Sequence, residues 1–278
     1  MPTQPLPVAK LIEQAAEIVD AVRRHNPLVD CITNFVTVND CANILLAFGA
    51  SPIMGDAFED AGTLARISGS MYINIGTYIK EHESAAVEAA LAAKQAGIPI
   101  VLDPVGCGAI PRGISIVNHI HEIAGLSLIK GNMGEIMALA GRQAAVKGVD
   151  SDGELAGIEE AALGLAKQYG CVVAATGKAD VITDGQRLAR INNGVELLTK
   201  ITGSGCMLGA LCAAAAAAAK IKGIDMFSAA LAGIMAMGIA GEMAAEKTQL
   251  PGSFRTALMD SVYTINGAAI REKGKLTC

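Results

Sequence analysis

The sequence predicts an α/β fold: a mostly parallel sheet with helices on both faces. Three observations carry this. Apolar, strand-like runs alternate with longer helix-like stretches, the pattern of parallel strands joined by crossover helices. The runs are short, and most end in Gly, Pro, Asn or Thr. The chain has 278 residues and is 52% hydrophobic, which suits one large α/β domain or two small ones. No low-complexity linker, charge block or internal repeat divides it, so residues 1–278 read as a single domain.

In chain order, a helix over 8–24 leads into a strand over 27–33, and helices over 38–47 and 57–68 follow. A strand over 71–76, a helix over 80–96 and a strand over 99–105 continue the alternation. Within the last, Asp103 ends the apolar run, because Pro104 has no N–H to extend a ladder. Strands over 126–130 and 171–176 stand on either side of a helix over 152–169. Residues 181–185 and 187–191 read as a hairpin around Asp184-Gly185. A helix over 205–222 meets no breaker until Gly223, and helices over 226–247 and 254–272 complete the chain. Ligands of such sheets bind beyond the carboxyl ends of the strands. Asn34, Asp103, Asn132 and Thr176 are therefore expected on one rim.

The totals set aside several classes. A net charge of −5 and 3% aromatics argue against nucleic acid as the main partner. Seven cysteines, with no Cys-x-x-Cys and no His/Cys ligand cluster, read as reduced thiols of a cytoplasmic protein. His25, His82, His119 and His121 show no catalytic or metal-binding spacing. Residues 1–10 lack the basic and apolar regions of a secretory leader. The run 208–219 is too short and small-sided to span a bilayer, so no membrane partner is expected. A mean hydropathy of +0.42 reads as a large core plus buried subunit contacts.

The most informative stretch is Ile201-Thr202-Gly203-Ser204-Gly205-Cys206. Glycines separated by one residue let backbone N–H groups approach a ligand closely. A helix starting there aims free N–H groups and its positive dipole end at the loop, which makes an anion site. Phosphate is the expected anion. Cys206 sits in the first turn, either as a reactive thiol or as a small buried hydrophobe. Asp103, at a strand end, either holds Mg²⁺ or caps the following turn. Asn132 and Glu135 are three apart and share a helical face. They can meet a phosphate and Mg²⁺ waters, or form an ordinary capping box, or do both. Lys130 follows an apolar strand at the rim, where a phosphate is in reach. Thr176 either bonds a nucleotide phosphate or closes a turn.

Asp103, Asn132-x-x-Glu135 and Gly203-x-Gly205-Cys206 together resemble the ribokinase-like superfamily of small-molecule kinases, most members of which carry Asp at the position of Cys206. The finer resemblance is to the hydroxyethylthiazole kinases. It rests on Cys31-Ile32-Thr33-Asn34-Phe35-Val36-Thr37, Gly49-Ala50-Ser51-Pro52-Ile53-Met54, Ile73-Asn74-Ile75-Gly76-Thr77 and Asp103-Pro104-Val105-Gly106. It runs in order from about residue 10 to 270. The resemblance implies a three-layer α/β/α sandwich and a homotrimer with the thiazole site near a subunit interface. It implies phosphorylation of the primary alcohol of 4-methyl-5-(2-hydroxyethyl)thiazole by ATP and Mg²⁺, in thiamine salvage. By similarity, Asn34, Val36, Met54 and Gly203 fall on thiazole positions. Lys130 and Thr176 fall on ATP contacts, with Asn132 beside them, and Asp103 and Glu135 on the Mg²⁺ region. Two residues depart from the family pattern. Lys130 replaces the usual Arg, which keeps the charge but loses the bidentate fork. Asp30 replaces the usual His.

The implied reaction is in-line transfer of the γ-phosphoryl group, which depends mainly on positioning and charge neutralisation. The N–H groups from Gly203 through Ser204 and Gly205 to Cys206 would face the developing charge. Cys206 stands where a base belongs, although a thiol is an imperfect base for an alcohol. The N–H groups are therefore expected to matter more than the thiol. The alternatives are hydroxymethylpyrimidine kinase of the same superfamily and a non-catalytic thiazole-binding protein. The Cys-Ile-Thr-Asn and Gly-Ala-Ser-Pro segments count against the first, and intact Asp103 and Glu135 against the second.

Overall fold

A computed structural model describes residues 7–77, 79–142 and 152–278. Its first half runs α1 (Val8–His25), β1 (Leu28–Ile32), α2 (Val38–Phe48), β2 (Ser51–Ile53), α3 (Phe58–Ile67), β3 (Ser70–Asn74), α4 (Lys80–Ala96) and β4 (Ile100–Asp103). Then come α5 (Pro111–Ala124), β5 (Leu128–Asn132), α6 (Met133–Leu139), α7 (Asp152–Tyr169) and β6 (Val172–Thr176). Strands β7 (Asp180–Thr183) and β8 (Leu188–Ile191) form the expected hairpin. The chain ends with α8 (Ser204–Lys222), α9 (Met226–Lys247), α10 (Pro251–Thr264), α11 (Gly267–Lys273) and β9 (Leu276–Thr277).

The nine strands make one sheet in the order β2-β1-β3-β4-β5-β6-β7-β8-β9. Pairings from β2 through β6 are parallel; those from β6 to β9 are antiparallel. Successive side chains of a strand point to opposite faces, and the core divides accordingly. Cys31, Tyr72, Val101, Leu128 and Ala174 join the apolar cluster of α1, α2 and α8–α11. Ile32, Ile73, Leu102, Ile129 and Val173 join the cluster of α3–α7. The result is a three-layer α/β/α sandwich. The strand order reverses direction at β1, between β2 and β3, the place where open α/β sheets leave a crevice.

Helix α8 crosses the centre of the sheet, and small residues let it lie close. Residues Met207 through Ala219 are all buried. A Cβ at Gly209 would stand 2.5 Å from the Tyr72 hydroxyl, so α8 and Tyr72 fit only with glycine there. Helix α9 packs as tightly: a Cβ at Gly233 would meet the Cys212 backbone at 2.9 Å. By length and apolarity α8 and α9 both qualify to cross a bilayer, so the shortness of the run 208–219, which lies within α8, does not by itself exclude a span. In their most apolar windows, 78% and 83% of the residues are buried inside the protein, which makes them core helices.

Three differences from the sequence expectations have local causes. The helix expected over 254–272 is two, because Asn266 breaks it and caps α11 by accepting the Ala269 N–H at 3.0 Å. Strand β2 is only three residues long and contains Pro52, tolerable on a sheet edge. Helices α5 and α6 add to the predicted set, and α6 starts with the capping box anticipated at Asn132 and Glu135. The leader-free reading of residues 1–10 falls in part outside the described residues.

Candidate active site

The expected rim is present. Asn34 follows β1, Asn74 and Asp103 end β3 and β4, and Asn132 and Thr176 end β5 and β6. Cross-strand register places Asn74 beside Asp103 and Asn132 beside Thr176. Above this rim stands the start of α8. Its N-cap, Gly203, has φ +82° and supplies no side-chain cap, and neither does any other described side chain. A Cβ there would lie 2.6 Å from Thr37 Cγ2, so both backbone angle and space require glycine. The first-turn N–H groups, from Ser204 to Cys206, are thus left for a ligand.

Beneath the loop lies a buried polar cluster. Lys130 Nζ donates to Asp103 Oδ2 at 2.9 Å and to the Gly205 carbonyl at 3.0 Å. Lys130 is 3% exposed and Asp103 0%. Asp103 Oδ2 also accepts from the Tyr72 hydroxyl at 3.1 Å and from Asn74 Nδ2 at 3.3 Å. Its other oxygen, Oδ1, is buried with no hydrogen-bond partner. Burial pushes the Asp103 carboxyl up, and the Lys130 ammonium only partly offsets this. Burial opposes the charge on Lys130 too, but the adjacent Asp103 carboxylate overcomes it and holds the ammonium above its ordinary value.

Cys206 is 8% exposed. Its Sγ accepts from Asn34 Nδ2 and Asn74 Nδ2, each at 3.3 Å. Backbone donors fix both amide orientations. Gly76 N–H donates to Asn74 Oδ1 at 3.0 Å, and Thr37 N–H to Asn34 Oδ1 at 3.1 Å. Each Nδ2 must therefore face the cluster. Asn34 Nδ2 also bonds Asn74 Oδ1 at 3.0 Å, which joins the two amides.

Glu135 is occupied by backbone. Its Oε1 accepts from Gly106 N–H at 3.1 Å and its Oε2 from Asn132 N–H at 2.8 Å. Asn132 Oδ1 returns the contact by accepting Glu135 N–H at 2.9 Å. Burial first, then the negative charge of Asp103, raises the Glu135 pKa. The donor set can be tested for Mg²⁺. The orphaned Asp103 Oδ1 is an oxygen lone-pair donor, and Mg²⁺ needs only one or two carboxylates when it keeps waters and phosphate oxygens. The residues fit an ion carried in on phosphates; they do not form a protein cage, and no cluster of three such ligands exists among the described residues.

Beside the loop opens a cleft of about 910 Å³. Its lining includes the polar residues Asn132, Thr176 and Asp180, the loop residue Gly205, and the apolar residues Leu208, Ile234 and Met237. Polar groups beside an anion loop, together with apolar lining, suit a ligand that carries both a charged and an apolar part. Asp180 accepts the Gly177 N–H at 2.9 Å, and burial raises its pKa to about 7. Met54 is partly buried and Val36 is 62% exposed.

Glu135 sits in the capping box of α6, and the other predicted residues fall into three places. Asn34, Asp103, Lys130 and Cys206 form one hydrogen-bonded cluster with the loop. Asn132, Thr176, Ser204 and Gly205 line the cleft. Val36 lies in the loop after β1 and Met54 directly after β2. Sequence reading assigned no role to Tyr72, Asn74 or Asp180. Asn74 was visible inside Ile73-Asn74-Ile75-Gly76, but its pairing with Asp103 needs the strand order, which no local pattern carries.

A sequence profile of the Hydroxyethylthiazole kinase family matches residues 19–267. Hydroxyethylthiazole kinase 2 of Clostridium botulinum (strain Loch Maree / Type A3) is 50% identical over 259 residues, covering 93% of this chain and 97% of that protein. Hydroxyethylthiazole kinase of Clostridium kluyveri is 48% identical over 267 residues, covering 95% of this chain and 97% of that one. Among solved structures, hydroxyethylthiazole kinase from Pyrococcus horikoshii OT3 superposes with a TM-score of 0.85 at 36% identity, covering 95% of this chain and 98% of that chain. Pyridoxal kinase from Staphylococcus aureus shares the fold, with a TM-score of 0.59 at 12% identity and coverage of 78% and 88%.

Proposed function

This chain belongs to the hydroxyethylthiazole kinase family, and on that premise we propose how its site works: it transfers the γ-phosphoryl group of ATP to the primary alcohol of 4-methyl-5-(2-hydroxyethyl)thiazole, in thiamine salvage. The bond from γ-phosphorus to the ADP oxygen breaks, and a bond to the alcohol oxygen forms. One observation carries this reading. The uncapped start of α8 stands between the 910 Å³ cleft and the Asp103–Cys206 cluster, so donor phosphates and acceptor hydroxyl can meet at one ring of N–H groups.

The roles follow from position. The N–H groups of the loop from Gly203 to Cys206 stabilise charge on the transferred group. Asn34, Val36, Met54 and Gly203 bind the thiazole, and Cys206 Sγ stands where a base for the alcohol proton belongs. Asn132 and Thr176 receive the nucleotide from the cleft wall. Lys130 supports the phosphates through its charge and its hold on the Gly205 carbonyl. Asp103 Oδ1 and, through water, Glu135 would hold Mg²⁺, which neutralises phosphate charge when bound.

The same reading takes residues 1–278 as one domain, supported by the single continuous sheet. It places the protein in the cytoplasm, supported by seven free cysteines. It makes the protein a homotrimer with a thiazole site at the subunit contact. Support comes from Phe35 and Val36, which adjoin Asn34 and are 57% and 62% exposed in the single chain.

The test is ADP release from ATP and Mg²⁺ with hydroxyethylthiazole, hydroxymethylpyrimidine or no acceptor. Turnover only with the thiazole alcohol is expected. Turnover with the pyrimidine alone would make the protein a hydroxymethylpyrimidine kinase. Saturable thiazole binding without ADP release would make it a binding protein.

A further inference from the structure

We propose that Asn74 is a positioning residue that holds the Cys206 sulfur and the Asp103 carboxylate in fixed relation across the transfer site. The proposal rests on the kinase reading above. Asn74 contacts both groups: its Nδ2 lies 3.3 Å from Cys206 Sγ and 3.3 Å from Asp103 Oδ2. It also donates to the Tyr72 hydroxyl at 2.9 Å. An amide has two hydrogens. Three acceptors surround them, so one N–H is shared between acceptors. Tyr72 passes its own hydrogen on to the same Asp103 oxygen, which makes Asn74 the head of a donor chain ending on the carboxylate.

The amide has no freedom to turn away. Its Oδ1 is held by Gly76 N–H and by Asn34 Nδ2, each at 3.0 Å, and the residue is 1% exposed. Parallel pairing of β3 with β4 sets Asn74 level with Asp103. The tight turn to Gly76 then leaves the amide beneath the first turn of α8, where it reaches the sulfur. Cys206 and Asp103 lie on different elements, one on α8 and one on β4, and no direct bond between them is present. Asn74 supplies that connection from a third element. Asn34 adds a second donor to the sulfur. It also bonds Asn74 itself, so the acceptor-side amide and the carboxylate are joined through one residue.

A residue with this role changes the rate of the step and leaves ligand binding alone. Asn74→Leu keeps the side-chain bulk and removes every hydrogen bond. The expected result is a kcat at least 30-fold lower, with KM for ATP and for the thiazole alcohol within threefold of the parent. Binding stoichiometry by calorimetry normalises kcat to folded sites. Should Asn74→Leu fail to fold, Asn74→Ser, which keeps one donor, is expected to lose about 10-fold in kcat with the same unchanged KM values. A kcat per folded site within threefold of the parent overturns the proposal. So does a loss that appears equally in KM for ATP, the signature of a cleft disturbed in general. Absence of thiazole-dependent ADP release from the parent protein is a different failure, that of the kinase reading.

Discussion

Replacing Lys130 with Met tests the electrostatics of the cluster most directly. The substitution keeps the aliphatic stem and removes the ammonium. Asp103 is then left with Tyr72 and Asn74 on one oxygen and no partner on the other, at 0% exposure. Removing one member of a buried ion pair costs about 3–5 kcal/mol. With an unfolding entropy of about 2.1 cal/mol/K per residue over 278 residues, the melting temperature should fall by about 5–9 °C. The loss has a pH signature. Burial already raises the folded-state pKa of Asp103, and without Lys130 the rise grows. The neutral acid form is the one tolerated, so the penalty is smallest in acid and increases as pH rises through the raised value. Urea unfolding at pH 5 and pH 8 measures this. Adding Asp103→Asn to Lys130→Met should recover about 2 kcal/mol, because no uncompensated charge remains. A single variant within about 0.5 kcal/mol of the parent, or a double variant no more stable than the single, would refute a buried charge pair as the support of the loop.

Asp30 gives a second pH test. Both its carboxylate oxygens are buried without hydrogen-bond partners, and burial raises its pKa to about 7. Its stability contribution is complete below the ordinary carboxylate value and is lost as pH rises through about 7. Asp30→Asn should remove a stability slope approaching about 1.4 kcal/mol per pH unit, read from urea midpoints between pH 5 and 8. Gly203→Ala places a Cβ 2.6 Å from Thr37 Cγ2 at φ +82°. It should cost about 1–3 kcal/mol and slow ADP release, and a variant equal to the parent in both assays would show the loop to be pliable. Cys206→Ser should retain measurable turnover and Cys206→Asp should equal or exceed the parent, since loop N–H groups outweigh the thiol. Complete inactivity of both in folded protein would contradict that.

Much of the scaffold was readable because buried parallel strands are apolar runs with sharp ends. The runs at 27–33, 71–76, 99–105, 126–130 and 171–176 all became strands. Pro52 hid β2, since three residues around a proline carry too little pattern to distinguish from a loop. Asn266 is the N-cap that divides the stretch 254–272, which reads as one helix in the sequence. At the site, the glycine loop and the strand-end polar residues were visible because their chemistry is local. The roles of Asn74 and Tyr72 were not, although Asn74 stands in the Ile73-Asn74-Ile75-Gly76 segment, because those roles come from neighbours on another strand and another helix. For Lys130, sequence placed a charge near phosphates, whereas its position beneath Gly205 depends on how α8 lies across the sheet.

Tyr72 heads the fully buried side chains by volume, in a chain with few aromatics, and it owes its room to a missing methyl on α8. Positions 72 and 209 therefore behave as one volume divided between two residues. Anyone redesigning this protein inherits that constraint. Alanine at 209 evicts the phenol ring, and a smaller residue at 72 that would admit it takes away the hydroxyl that Asp103 uses. A helix position that touches no reactant thus limits which acids the neighbouring strand end can support. Mutational libraries confined to the pocket wall would never sample the exchange.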